Sequence, residues 1–414
     1  MLEKYNKVLS WITYGFVVGV AFMIPFNFWV SQGGTFIVFF WLLTFDYKSK
    51  WQNMRNSPVM WLFLVLNVLY IAGCFWSENK HEAAISMMMK SALIGFPIVF
   101  AAMRLDYMKT KIVLQAFLAG LVCSSVFMIV QAKFYPSGNG ADPWSYQEFS
   151  RSIMHPSYIS LYYVIGIMIC FHGILLRNVP MNRKVIAVML VLLYCVMIFM
   201  LASKTGLISL IILVMFYIGY AVVRFKRYVV AGVTFVALLI GFFVCLQLFP
   251  SLKARLNEMT SVIESDRPID PSEVESNRVR LLIWQQDLSL IAEHPLTGVG
   301  TGDVQDELMK KYADAGMTGA YGKKLNAHSQ YFQTGIALGL PGLVLLVGIL
   351  LASFTWSVRR RYGFAALFTV LLTFNFIPES MLQLQAGTFL FGFLFCFILF
   401  TADPAVISPK GSNV

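Results

Sequence analysis

Along the chain, long apolar runs alternate with short polar breaks. The runs cover 8–30, 33–45, 59–76, 83–103, 113–134, 158–176, 184–202, 205–223, 228–249, 329–356, 362–380 and 384–402. Hydrocarbon offers no partner for a backbone N–H or C=O, so an apolar run of about 20 residues reads as a spanning helix. The second run is short, and only Ser203-Lys204 separates the seventh from the eighth. This pattern predicts an all-α, polytopic membrane protein with about 12 transmembrane helices. It also predicts three parts: helices 1–9 over 1–249, a polar helical loop over 250–328, and helices 10–12 with a tail over 329–414.

Composition supports lipid as the solvent. Only 13% of residues are charged, against about a quarter in soluble domains. The net charge of +11 follows topology. Lys and Arg fall in alternate loops, at Lys48, Lys50 and Arg55, at Arg104, Lys109 and Lys111, and at Arg359, Arg360 and Arg361. Positive loops stay inside, so both termini are expected in the cytoplasm, and a nucleic-acid partner is unnecessary. The six cysteines all sit in apolar runs without a C-x-x-C pair. They read as small apolar residues, with neither a disulfide framework nor a metal site. The first run is long and lacks a small-residue cleavage site, so it is expected to be retained.

The opposite side carries two sizeable polar segments, 135–157 and about 250–328. In the second, Ser272 and Glu275 have capping-box spacing ahead of an amphipathic helix expected to end near His294-Pro295. Leu281, Leu282, Trp284, Leu288 and Ile291 are its expected apolar face. A second helix is expected over about 303–315. Between them, the turn Gly298-Val-Gly-Thr-Gly302-Asp303 resembles a phosphate loop only superficially. A tight turn is its plainer reading, although amides at a helix start can bind an anion.

Candidate chemistry gathers on this side. Lys204 stands alone between two spans; it reads as a snorkelling lysine or as a cation for an anionic headgroup. Arg278 and Arg280 lie two apart, hence on different faces of the loop helix; each is a solvated charge or a fork for phosphate oxygens. His328 opens the tenth run beside Asn326, Ser329 and Gln330. Its ordinary pKa near 6.5 suits a general base; an interfacial histidine without a task is the alternative. Glu379 at the outer end of the eleventh run could orient His328, pair with an arginine, or face solvent. Arg151 and His155 precede the sixth run, where His155-Pro156-Ser157 reads first as a helix start. His and Cys never cluster at metal-ligand spacing. Lys90 and His172 are isolated in their runs and receive no role.

The stretch His328-Ser329, nine residues, Gly339, two residues, Gly342 resembles the His-[Asn/Ser/Gln]-x9-Gly-x-x-[Gly/Thr/Tyr] signature of bacterial O-antigen ligases. Upstream, RLLIWQQDLSLIAEHPLTGVGTGD is similar to the Arg…Trp…Pro-x-x-Gly-x-Gly segment of the wider O-antigen ligase and polymerase family. The resemblance covers most of the chain as architecture and about 200–400 as motif. It implies a GT-C-like membrane glycosyltransferase of the bacterial inner membrane, with its site on the periplasmic face. Such an enzyme moves a glycan from undecaprenyl diphosphate to lipid A–core oligosaccharide, with inversion and without metal or other cofactor. The resemblance also implies roles. His328 would be the base, with Ser329 beside it. Arg280, or Arg278 in an alternative register, would hold the diphosphate. Lys204 would stand where the family usually has arginine, keeping the charge but losing the bidentate fork. Glu379, in a family-like Glu-Ser pair, would support a partner; Arg151 and His155 are supporting candidates on their position alone. An O-antigen polymerase uses the same chemistry on another glycan acceptor. A transporter or flippase of lipid-linked sugars makes no bond, and should carry broken helices with polar residues at the midplane.

Overall fold

A computed structural model describes residues 1–136, 140, 142–175, 180–226, 228, 232, 236, 243, 247, 270, 272–274 and 277–401. The chain is an all-α, polytopic membrane protein. Among the described residues there is no strand, and eight helices are long and apolar enough to cross a membrane. Shorter apolar helices cover Val30–Leu42, Gly363–Asn375 and Gln385–Thr401. Helices therefore stand over eleven of the twelve apolar runs; the run 228–249 lies largely outside the described residues.

The chain forms two compact units. The first comprises Met1–Val20, Trp29–Thr110 and Val262–Ile407. Among its described helices are α2 (Val30–Leu42), α3 (Tyr47–Arg55), α4 (Pro58–Trp76), α5 (Lys80–Lys90) and α6 (Ala92–Ala102). The second comprises Ala21–Phe28, Lys111–Ser261 and Ser408–Val414. Helix α1 (Leu2–Met23) begins in the first unit, and α7 (Tyr107–Phe134) lies mainly in the second. The second unit also holds α8 (Tyr146–Phe149), α9 (Pro156–Leu175), α10 (Met181–Leu201) and α11 (Lys204–Phe225). The described helices of the polar segment and the C-terminal helices belong to the first unit: α12 (Asn277–Glu293), α13 (Val304–Asp314), α14 (Thr318–Gly322), α15 (Gln330–Arg359), α16 (Gly363–Asn375) and α17 (Gln385–Thr401).

In the first unit, α15 packs on α4, α16 and α12, while α6 packs on α4 and α17. Rings lock α6 to α17: Phe96 meets Phe393 at 5.1 Å and Phe100 meets Phe393 at 5.2 Å, both edge to face. A π-helical stretch at Leu390–Phe395 sits within α17. The apolar run 83–103 is covered by α5 and α6, which meet at Ser91 and together form one of the eight spans, Lys80–Ala102. Pro97 lies inside α6 and cannot donate to the carbonyl four residues back. That carbonyl, of Leu93, instead accepts from Asn67 Nδ2 at 3.1 Å. In the second unit α9 packs on both α10 and α11. Tyr194 Oη donates to the Leu118 carbonyl at 2.8 Å and Tyr217 Oη to the Met168 carbonyl at 3.3 Å, satisfying hydroxyls that burial would otherwise penalise.

Two expectations for the loop helix need correction. The helix α12 starts at Asn277, so Ser272 does not cap it; Ser272 donates through N and Oγ to Asp270 Oδ1, both at 2.8 Å. Glu275 lies outside the described residues. The buried stripe is Val279, Ile283, Asp287, Leu290 and Ile291, whereas Leu281 and Leu288 are more than half exposed. Helix α12 packs on both α13 and α15, and these two contacts rotate the buried stripe away from the one that hydropathy alone selects.

Candidate functional site

The glycine turn joins α12 to α13 and is fully engaged in packing. Val299 N donates to the Ile336 carbonyl at 2.8 Å and Gly300 N to the Ala337 carbonyl at 3.1 Å. Gly302 N donates to Ser77 Oγ at 2.9 Å. The Asp303 carboxylate accepts from the Glu78 and Asn79 amides at the start of α5, each at 2.8 Å. These amides face protein partners, so the turn is a packing element and not a phosphate cradle.

The same contacts account for Gly339. Helix α15 breaks there, with φ +66° and ψ −165°, a conformation open essentially to glycine. A Cβ on Gly339 would lie 2.6 Å from the Pro295 carbonyl oxygen. Across the same junction Leu340 N donates to that oxygen at 2.8 Å. Pro295-x-x-Gly298 and Gly339 are thus two halves of one close backbone contact.

At the head of α15, His328 is half-buried and has φ +45°, a left-handed conformation in which histidine is over-represented. Bonds on both sides hold it. His328 N donates to Asn326 Oδ1 at 3.0 Å, and Ser329 N to Ser380 Oγ at 3.2 Å. Gln330 N donates to the Phe376 carbonyl at 2.8 Å, and Gln330 Oε1 accepts from Leu382 N at 2.6 Å. Gln330 Nε2 continues to Thr334 Oγ1 at 2.9 Å, which meets Tyr70 Oη at 3.2 Å. The histidine's backbone is therefore bolted to the segment 376–382.

Arg280 reaches that segment from α12. Its Nη1 donates to the Pro378 carbonyl at 3.2 Å, and its Nη2 stands 3.7 Å from Glu379 Oε1. Glu379 is buried and Arg280 half-buried. An arginine partner is one of the roles open to Glu379, and Arg280 stands in that position. Arg278 lies half-buried two positions before Arg280 on α12.

Three polar groups under α12 have no hydrogen-bond partner among the described residues: both oxygens of Asp287, Trp284 Nε1 and Tyr312 Oη. Burial pushes the Asp287 carboxyl well above the usual carboxylate range. Burial, and then the charge of Asp287, raise the Tyr312 phenol.

The remaining candidates belong to the second unit. Lys204 is the first residue of α11, half-buried. Ala202 at φ +44° closes α10, and Ser203 Oγ caps α11 by accepting from Gly206 N at 3.2 Å. Ser203 Oγ also reaches Ser157 Oγ at 3.5 Å, which brings the start of α9 beside Lys204. His155 precedes Pro156, the first residue of α9, and its Nδ1 accepts from Ser157 N at 3.4 Å. Arg151 is committed locally, to Glu148 Oε2 at 2.9 Å and to the Tyr135 carbonyl at 2.6 Å.

Sequence reasoning left Lys90 without a role and did not single out Tyr70. Lys90 is buried, donates to Ser86 Oγ at 2.6 Å, and lies 4.9 Å from the centroid of the Tyr70 ring. Through Tyr70 it adjoins the Thr334–Gln330 chain that ends beside His328. A lone lysine in a weakly polar run gives no signal for this.

Residues 187–347 match a protein-family model described as O-Antigen ligase. That segment contains Lys204, Arg278, Arg280, His328 and Ser329, and both signature glycines; Glu379, Arg151 and His155 lie outside it. Comparison with curated proteins yields no match. The match supports a function of the O-antigen ligase or polymerase type in general.

Proposed function

We propose, for a chain whose residues 187–347 match the O-antigen ligase family model, that it transfers a glycan from undecaprenyl diphosphate to lipid A–core oligosaccharide at the periplasmic face of the bacterial inner membrane. The acceptor hydroxyl oxygen attacks the anomeric carbon with inversion. The bond from that carbon to the diphosphate oxygen breaks, and the hydroxyl proton passes to the imidazole of His328. The lipid diphosphate departs with its negative charge set against Arg280. Fixed cations stabilise charge developing on a leaving group more than charge already present, which is the condition for acceleration. Glu379 is a positioning residue that holds the guanidinium. Lys204 is proposed as a further cation for the donor on its sequence position, and Arg278 as a second one on α12. His155 supports the start of α9, and Arg151 the segment just before it. Metal and other cofactors have no part in the proposed reaction.

One observation carries this reading: His328 and Arg280 are both tied to the segment 376–382, one through its flanking backbone and the other through its side chain. A base and a cation fixed to one frame can be held in register with a substrate between them.

The test is reconstitution of the purified protein with one lipid-linked glycan and two acceptors, lipid A–core and a second glycan. Product on lipid A–core is expected. Product only on the second glycan makes the protein a polymerase. Movement of the lipid-linked glycan across the bilayer without product makes it a transporter.

A further inference from the structure

The first unit has a second charged site, at the other end of its helices. Helix α4 has 19 residues and so spans about 28 Å, close to the roughly 30 Å of a hydrocarbon core. Its C-terminal end meets the glycine turn, where Thr301 N donates to the Gly73 carbonyl. At its N-terminal end, α3, the end of α6 and the start of α1 enclose a cavity of about 480 Å³. Four cations line it, Lys7, Lys50, Arg104 and Lys109, against one acid, Asp46.

That acid is already taken. Lys50 is buried, lies 3.2 Å from Asp46 Oδ1, and donates to the Trp41 and Thr44 carbonyls at 2.6 and 2.8 Å. Of the other three cations, Lys109 has Asp106 as a neighbour, and among the described residues Lys7 and Arg104 have no acidic partner. Arg104 is held in place: its Nε and Nη2 donate to Asn53 Oδ1 at 3.3 and 3.2 Å, while Asn53 Nδ2 donates to the Ala102 carbonyl at 3.0 Å. This clamp does not use Nη1. Lys109 lies 4.8 Å from the Trp11 ring centroid and 3.8 Å from Asp106 Oδ2, an acid outside the lining. Its backbone carbonyl accepts from Tyr14 Oη at 3.1 Å. Trp11 and Trp51 are each 54% exposed on this end, and tryptophans of this kind sit at headgroup level.

We propose that this cavity binds the phosphate of an anionic membrane-lipid headgroup, on the membrane face opposite the His328 end. A phosphodiester supplies the missing negative charge and accepts hydrogen bonds from Arg104, Lys109 and Lys7 at once. The depth of the cavity, at the tryptophan level, favours a headgroup over a free ion. Basic pockets between helix ends are a recurrent means of holding such lipids. The site makes no use of the transfer chemistry, so it stands or falls separately from that reading.

The test uses full-length protein in a neutral detergent. Thermal unfolding is followed during titration with dihexanoyl phosphatidylglycerol, dihexanoyl phosphatidylcholine or inorganic phosphate. Phosphatidylglycerol is expected to raise Tm by several degrees with saturation, and phosphatidylcholine to leave it unchanged. Arg104→Gln and Lys109→Gln should each raise the half-saturating concentration about tenfold, the loss of one charge-assisted hydrogen bond. Lys7→Gln, at an exposed position that cannot disturb the fold, should raise it in the same direction. Lys4→Gln, outside the cavity, should not. Equal shifts from both lipids, or variants that respond as wild type does, overturn the site. An equal shift from inorganic phosphate at the same concentration overturns the lipid as its occupant.

Discussion

Arg280 Nη2 stands 3.7 Å from Glu379 Oε1, and its Nη1 donates to the carbonyl of the preceding Pro378. Two elements far apart in the chain thus hold one guanidinium beside the turn that carries His328. Arg280→Ala should reduce glycan transfer on the order of a hundredfold, the cost of removing one well-aimed donor from a developing charge. Glu379→Gln should cost less and act chiefly on the donor KM, because it loosens the arginine without removing it. Removing both should cost little more than Arg280→Ala alone, since the pair works as a unit. Steady-state kinetics of the three variants measures this; fully additive losses would separate the two residues.

Gly339 is expected to tolerate no side chain. Gly339→Ala places a Cβ against the Pro295 carbonyl and holds alanine at positive φ. Strain of this kind costs on the order of 1–3 kcal/mol. A lower Tm in detergent, with less inserted protein, is the expected result. Gly348→Ala, where a Cβ meets nothing within 4 Å, should leave Tm unchanged or slightly higher.

Asp287 makes stability depend on pH. Its folded carboxyl titrates above the unfolded value because burial disfavours the charge. In the titrating range the folded state therefore binds more protons than the unfolded one, and stability falls as pH rises. The loss begins near the ordinary carboxylate range and is complete above the raised folded value. Asp287→Asn removes this term. Its Tm should exceed that of wild type at pH 8, by about 1 °C for each kcal/mol recovered in a chain of this length, and the gap should shrink toward pH 4. A gap independent of pH would show that the carboxyl does not titrate in this way.

The apolar runs could be read as helices because lipid leaves the backbone no other choice. What surrounds α12 could not. Leu281 and Leu288 look like core residues and are exposed, while Asp287 looks like surface and is buried; hydropathy does not report which neighbours a helix meets. The Arg280–Glu379 pair joins a residue of α12 to one in the segment that follows α16, which a single sequence cannot align. Conversely, Pro295, Gly298 and Gly339 were visible as a motif, and their physical reason, a close backbone contact, appears only in three dimensions.

Lys204 tests how much the donor depends on charge and how much on geometry. Lys204→Ala should reduce transfer by about tenfold or more, whereas Lys204→Arg should retain it, since a guanidinium keeps the charge and adds a fork. Transfer assays at saturating acceptor and varied donor separate the two effects. Unchanged donor dependence in Lys204→Ala would leave it a lysine at a helix start and nothing more.

The most direct measurement is single-turnover glycan transfer by purified His328→Ala, with donor binding followed in parallel. Loss of transfer by at least about a hundredfold, with donor still bound and the protein still folded, is the predicted result. Transfer at the wild-type rate would contradict the assignment of His328 as the base.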